Sequence, residues 1–154
     1  MGSYQEHTLD GASAVELVVA LYDGILRFLH AASAAVERGD AMERRIAVKR
    51  ALDIIIHLQA RLRMDVGGRP AQVLSEFYAS IFAQILQASQ SASAQKFSHA
   101  IDCVRNVRDA WRQAARHPEG DAALPRAAVA VAARQPAVAG KSNVDSAVAA
   151  HWTA

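Results

Sequence analysis

The segment from Ala12 to Leu29 constrains the fold most, because it combines a marked helix start with an unusually wide apolar face. Ser13 and Glu16 have the spacing of a capping box, which predicts that the first helix begins at Ser13. Apolar residues then recur at steps of three and four in two neighbouring stripes. The first stripe contains Val15, Val18, Tyr22, Ile25, Leu29 and Ala32, and the second contains Leu17, Leu21, Gly24, Phe28 and Ala31. A helix with this face must bury it against other elements or a partner.

Composition limits the class of protein. A chain of 154 residues with 52% apolar and 21% charged residues fits one domain with a real core. Glu16, Asp23 and Arg27 interrupt the most apolar stretch, which predicts no membrane insertion. No signal peptide is recognisable at the N-terminus. The single Cys103 cannot form an internal disulfide and is expected to be a small buried hydrophobe, so we predict a cytoplasmic protein.

Turn residues divide the chain into four helices. Gly39-Asp40 has the residues of a helix end and the next N-cap, and Gly67-Gly68 followed by Pro70 has those of a second boundary. The predicted helices run from Ser13 to the Gly39 turn, Ala41 to Val66, Pro70 to Ser89, and Ser93 to Arg116. Short connections return each helix beside its predecessor. We therefore predict an all-α fold, an antiparallel up-down four-helix bundle with short loops over residues 13–118.

The C-terminal tail, residues 119–154, is rich in Ala, Val, Pro and Gly and cannot build a core of its own. It is expected to be irregular, flexible or partly helical. Pro125 and Pro136 are expected to break any helix in the Ala-rich run 127–134. A short helix after Asp145 is left open.

Catalytic and metal-binding patterns are missing from the sequence. The six His residues are scattered, no HExxH or CxxC pattern occurs, and no Gly-rich phosphate loop follows a strand. We therefore predict no enzyme activity, no metal and no cofactor.

Basic residues form two clusters that could contact phosphates. They are Arg105, Arg108, Arg112 and Arg116 on the fourth helix, and Arg44, Arg45, Lys49 and Arg50 on the second. A solvated helix face explains them equally well, since the net charge is only +2 and Asp102 and Asp109 can pair with neighbouring arginines. We predict no nucleic-acid partner.

The surplus of apolar residues is then the main clue to function. The third helix is the clearest case, since Phe77, Tyr78, Ile81 and Phe82 surround much of its circumference. A fully buried central helix or a homodimer seam explains the surplus, and so does a groove that receives an amphipathic helix from another protein.

Several short stretches resemble a known family. Tyr4-Gln5, Ala12-Ser13, Glu16-Leu17 and Leu21-Tyr22-Asp23-Gly24 resemble the opening of the flagellar secretion chaperone FliS family. The resemblance continues with the stretches 62–68, 74–78 and 86–88 and ends with 107–111, in the right order. Two positions depart from the family pattern: Ala14 stands where Pro is usual, and Ser89 stands where Asn is common.

The resemblance implies a helical bundle that binds the C-terminal segment of newly made flagellin in the cytosol. Such a chaperone keeps flagellin from polymerising and helps deliver it to the flagellar type III export apparatus. Further expected partners are the export gate and other flagellar regulators, and the expected state is a monomer or weak homodimer. The alternative is a homodimeric helical scaffold or adaptor without a flagellin client.

The resemblance also suggests where the client binds. Residues 1–12 are expected to cover part of the groove in the free protein, with Tyr4 as a removable plug. The client-binding residues predicted from the family and the second apolar stripe are Tyr4, Leu17, Leu21, Tyr22, Leu58, Leu62, Tyr78 and Ile81. The tail could be a dispensable extension, an export-related segment, or a strip that competes with the client through Val144, Val148 and Trp152.

Overall fold

The computed structural model of the chain describes residues 2–116 and 124–136, with side chains from residue 14 onward. The described residues form five α-helices and no strand, which confirms the all-α prediction for this part of the chain. The helices are α1 (Gly2–Arg38), α2 (Ala41–Arg61), α3 (Met64–Gln90), α4 (Ala94–Arg116) and α5 (Arg126–Arg134).

The first helix begins at Gly2, so the prediction of a start at Ser13 is wrong. A capping box is a local signal, and the helix continues upstream of it because no proline intervenes in residues 2–12. Gly11 lies inside α1, where a glycine costs only about 1 kcal/mol relative to alanine. The role of residues 1–12 as a cover stays a prediction.

The connection between α1 and α2 consists of Gly39 and Asp40 in the roles predicted for them, a helix end and an N-cap. Gly39 has a φ of 69°, the left-handed conformation that glycine adopts at little cost. Asp40 is the N-cap of α2, and its Oδ1 accepts a hydrogen bond of 3.0 Å from the backbone N–H of Glu43. The turn therefore ends one helix and starts the next within two residues.

The boundary between α2 and α3 differs from the prediction. The second helix ends at Arg61 rather than Val66, because Leu62 is extended with ψ 127°, and α3 begins at Met64. A kink follows at Gly68, whose φ of 56° and ψ of −143° favour glycine, and Pro70 lies in the first turn beyond it. Val66, the last residue of the predicted second helix, is 70% exposed. The apolar period runs through the break at Leu62, so periodicity alone cannot reveal it.

The fourth helix begins within one residue of its prediction. The hydroxyl of Ser93 accepts a hydrogen bond of 3.1 Å from the backbone N–H of Lys96, which satisfies one of the free donors at the helix start. Ala92, in the preceding turn, has a φ of 47°.

The helices share one core. α1 packs against α2 and α4, α3 packs against α2 and α4, and α5 packs against α3 and α4. The largest fully buried side chains are Tyr22, Phe97, Ile25, Leu29, Leu74, Ile81, Ile85, Val104 and Val107. Cys103 is buried, as predicted, and the pKa of its thiol is raised by burial and by the nearby Asp102.

The Ala-rich run of the tail is helical, and the prediction that prolines break it is wrong. Pro125 is the N-cap of α5 and Pro136 follows its last turn, so the two prolines border a helix instead of interrupting it. Ala128 and Ala132 of α5 are buried. The short helix left open after Asp145 lies outside the described residues, as do Val144, Val148 and Trp152.

One segment of α1, Ala14–Arg38, is long and apolar enough to cross a membrane by length and composition alone. A core helix passes the same test, and this one buries Tyr22, Ile25 and Leu29 within the fold. The finding is weak support for a membrane span.

Candidate partner-binding surface

The structure distributes the eight predicted client-binding residues between core and surface. Four of them are core residues, at most 4% exposed: Tyr22, Leu58, Tyr78 and Ile81. Leu21 and Leu62 are half-buried and pack against the core, whereas Leu17 is 42% exposed. The side chain of Tyr4 lies outside the described residues. The eight residues therefore do not form one exposed groove, and a client-binding role of the four buried ones stays a prediction that this geometry does not favour.

Tyr22 and Tyr78 form a buried polar pair in the core. The Tyr22 hydroxyl donates a hydrogen bond of 2.9 Å to the Tyr78 hydroxyl, and the rings meet edge-on at a centroid distance of 6.2 Å. The ring of Trp111 packs against that of Tyr22, with 6.3 Å between the two ring centroids. Burial raises the pKa of Tyr78 to about 12 and raises that of Tyr22 well above its ordinary value, with the neighbouring Tyr78 adding to the shift. Both phenols therefore stay neutral and tie α1 to α3.

Asp23 anchors α1 to α4 through two arginines. Its Oδ1 accepts from Nη1 of Arg108 at 2.6 Å, and its Oδ2 lies 3.5 Å from Nη2 of Arg112. Arg108 also donates to Asp109 at 2.8 Å. Burial alone would lower the pKa of Arg108, but the hydrogen bonds that Arg108 donates to Asp23 and Asp109 outweigh this effect, so the net pKa is raised. The charge next to Gly24 is thus neutralised within the fold.

Gly24, next to Asp23, allows a close contact between α1 and α2. A Cβ added to Gly24 would lie 3.0 Å from Cδ1 of Ile54, which shows how closely α2 approaches α1 there. The helix that packs closely against the backbone of Gly24 is therefore α2 of the same chain. The second stripe of α1 is therefore at least partly an internal packing surface.

In residues 14–116 and 124–136, most of the large exposed apolar side chains are not among the predicted client-binding residues. They are Leu17, Met42, Ile46, Ile56, Met64, Val66 and Leu86, and only Leu17 was a predicted site residue. The signal for three of them is a second, outward apolar period on α2, at Met42, Ile46 and Ile56. The exposure of Met64 and Val66 depends on the break at Leu62, which no residue pattern marks.

Three of these exposed side chains, Leu17, Met64 and Val66, lie near the connection between α2 and α3. Together with the half-buried Leu21 and Leu62 they form what we call the distal patch. Gly24 faces Ile54, and Leu17 lies seven residues before Gly24 just as Arg61 lies seven after Ile54. Leu17 therefore lies on α1 at the level where α2 ends and α3 begins. Partly exposed apolar side chains gathered in one place are typical of a surface that binds a partner.

The predicted arginine clusters are largely engaged within the chain. Arg105 pairs with Asp102 at 3.4 Å, and Lys49 pairs with Asp53 at 3.1 Å. The guanidinium of Arg50 lies 5.8 Å from the centre of the Phe28 ring. The predicted pairing along α4 is confirmed for Asp102, whereas Asp109 pairs with the adjacent Arg108. Among the described residues, no three His, Cys, Asp or Glu side chains come together where they could hold a metal ion.

The residues that the structure describes thus form an all-helical fold with several large apolar side chains exposed on its surface. The family model of the flagellar protein FliS matches residues 1–118. The chain belongs to the FliS family, which confirms the resemblance read from the sequence.

Proteins named flagellar secretion chaperone FliS are among its relatives. The one from Vibrio cholerae is 32% identical over 105 residues, 68% of this chain and 77% of the relative. The one from Salmonella typhimurium is 32% identical over 109 residues, 70% and 81% of the two chains. The one from Bacillus subtilis is 25% identical over 119 residues, 77% and 88% of the two chains. The α5 helix lies beyond the part matched by the family.

Proposed function

We propose that this chain is a cytosolic export chaperone for flagellin. It binds the C-terminal segment of flagellin, prevents premature polymerisation and assists delivery to the flagellar type III export apparatus. The observation that carries the proposal is the FliS match over residues 1–118, together with relatives named flagellar secretion chaperones. Such a role is binding without catalysis. Covering the apolar helix faces of a segment that is disordered alone blocks filament contacts, while the ordering cost keeps release feasible.

The proposed architecture is an antiparallel up-down bundle of α1 to α4. Gly24 precedes Gly39 by 15 residues and faces Ile54, which follows Asp40 by 14, as expected for two helices folded back at the turn. The other connections between these helices are equally short, since two residues separate α2 from α3 and three separate α3 from α4. This arrangement supports an elongated body with long lateral faces for a client helix.

We place the first client contact at the distal patch. Its side chains are apolar and at least partly exposed, so a client helix can bury them without opening the core. Residues 2–13 continue α1 beyond Leu17, so the backbone of Tyr4 lies about 20 Å from that of Leu17 along the helix. The proposed cover by the N-terminal segment with Tyr4 therefore requires this part of the helix to unwind and fold back onto the patch.

Titration calorimetry of the full chain with the last ~40 residues of the cognate flagellin tests the function, since coupled folding should give a negative heat-capacity change and added helical signal. Leu17→Glu and Met64→Glu place a charge within the patch and are expected to weaken binding about tenfold or more, as a buried unpaired charge costs several kcal/mol. Absence of binding by the unmodified chain at tens of micromolar would contradict the proposal.

Matched controls separate site effects from added charge. Ala41→Glu and Gln95→Glu, near the starts of α2 and α4, add the same negative charge at exposed positions away from the distal patch. They are expected to bind like the unmodified chain. Equal weakening by all four variants would place the client elsewhere.

A further inference from the structure

We propose that α5 is a built-in cover that occupies the α3–α4 face and competes with flagellin for it. This inference rests on the proposed function and adds an autoinhibitory contact to it. The starting observation is that α5 packs against both α3 and α4, although it lies outside the family-matched residues 1–118.

The contact is apolar and built from small side chains. Ala128 and Ala132 are four residues apart on one side of α5 and are 0% and 5% exposed. Leu124, Val129 and Val131 pack partly against the core beside them. The face thus accepts a short amphipathic helix that approaches closely through two small residues.

One exposed polar contact joins α4 to the residue that follows α5. The side-chain amide of Asn106 donates a hydrogen bond of 3.4 Å to Oε1 of Gln135, just beyond the end of α5. Cys103 and Ala110 lie three and four residues from Asn106, so they share its side of α4, and both are buried. This side of α4 is therefore lined by small residues where α5 docks.

The α5 helix has little stability of its own. It is only 9 residues long, whereas isolated helices shorter than about 12 to 15 residues are marginal in water. Its N-cap is Pro125, which supplies no side-chain hydrogen bond to the first turn. The stability of α5 thus comes mainly from docking, and a competing helix can replace it.

A client that contributes an amphipathic helix meets the same requirements as α5. When a cover occupies the binding face most of the time, the apparent affinity for the client falls by the fraction of molecules with that face open. The proposal therefore predicts that loosening α5 strengthens client binding, although no client contact changes.

The decisive variant is Ala128→Glu in the full chain, since a carboxylate at this buried position cannot be accommodated against α3 and α4. Ala130→Glu is the matched control, because it adds the same residue at an exposed position of the same helix. Titration with the flagellin C-terminal segment is expected to give a Kd about tenfold lower for Ala128→Glu than for the control.

The outcomes separate the two proposals. Unchanged or weaker binding by Ala128→Glu, with the unmodified chain still binding, overturns the cover and leaves the chaperone function standing. No binding by the unmodified chain overturns both. Circular dichroism checks that the variant keeps the helical signal of the remaining helices.

Hydrogen exchange of the unmodified chain provides a test that needs no variant. At saturating flagellin segment, the amides of residues 126–134 are expected to exchange faster than in the free chain, because α5 has left its face. Unchanged or increased protection of these amides in the complex would overturn the proposal.

Discussion

At the scale of single residues, the Tyr22–Tyr78 hydrogen bond is the clearest polar determinant of the core. Tyr22→Phe leaves the Tyr78 hydroxyl buried without this partner, so we expect a loss of about 1 to 2 kcal/mol in unfolding free energy. The double variant Tyr22→Phe/Tyr78→Phe removes both hydroxyls and is expected to recover most of that loss. Urea denaturation at neutral pH measures both. A double variant less stable than the single one would contradict the pairing.

The same two residues set the alkaline limit of stability. Their pKa values are raised in the folded chain, to about 12 for Tyr78, from an ordinary value of 10.0. The unfolded chain loses these protons first, so stability is complete below pH 10 and falls as the pH rises toward 12. Denaturation at increasing pH should show this fall in the unmodified chain and a smaller one in the double phenylalanine variant.

Tyr22 also shows how far sequence reasoning reaches at this scale. Its periodicity correctly puts it on an apolar stripe of α1, but spacing cannot say whether a stripe faces the core or a client. Because α1 packs against both α2 and α4, it needs two apolar stripes inside the fold. Much of the apparent surplus is therefore internal, and only burial in the structure distinguishes Tyr22 from the exposed Leu17.

At the scale of elements, Asp23 is expected to stabilise the contact of α1 with α4. Asp23→Ala leaves the side chain of Arg108, only 16% exposed, without its closest carboxylate, and should cost about 1 to 2 kcal/mol. Asp53→Ala is the control, since its pair with Lys49 lies within α2 with side chains 59% and 77% exposed, and exposed helix pairs contribute below about 0.5 kcal/mol. Urea denaturation compares the two variants, and equal losses would refute a special role for the pair between helices.

The helix boundaries differ in how far the sequence marks them. Gly39-Asp40 and Ser93 act through local chemistry, a left-handed glycine and capping oxygens, so those boundaries are predictable to within a residue. The extended Leu62 has no such mark, and α5 forms where composition favoured irregular chain because docking supplies what a short helix lacks. Tertiary contacts decide these cases.

At the scale of the whole molecule, the outward face of α2 bears on the alternative of a homodimeric scaffold. Met42, Ile46 and Ile56 are exposed there and could form a subunit seam. The exposed Lys49–Asp53 pair lies between them along the same side of the helix. A seam over this face would bury both charges, and desolvating an ion pair offsets most of its attraction. The apolar side chains of α2 are therefore poorly arranged for a stable dimer.

We accordingly expect the chain to sediment as a monomer, or a weak homodimer, at micromolar concentration, and Ile56→Glu to leave this behaviour unchanged. Adding the flagellin C-terminal segment should yield a complex with one copy of each chain, because the client then buries apolar surface that a self-association would otherwise use. Sedimentation velocity over a range of concentrations measures both. A constitutive dimer that persists with the segment present and dissociates in Ile56→Glu would instead establish α2 as a subunit seam and favour the scaffold.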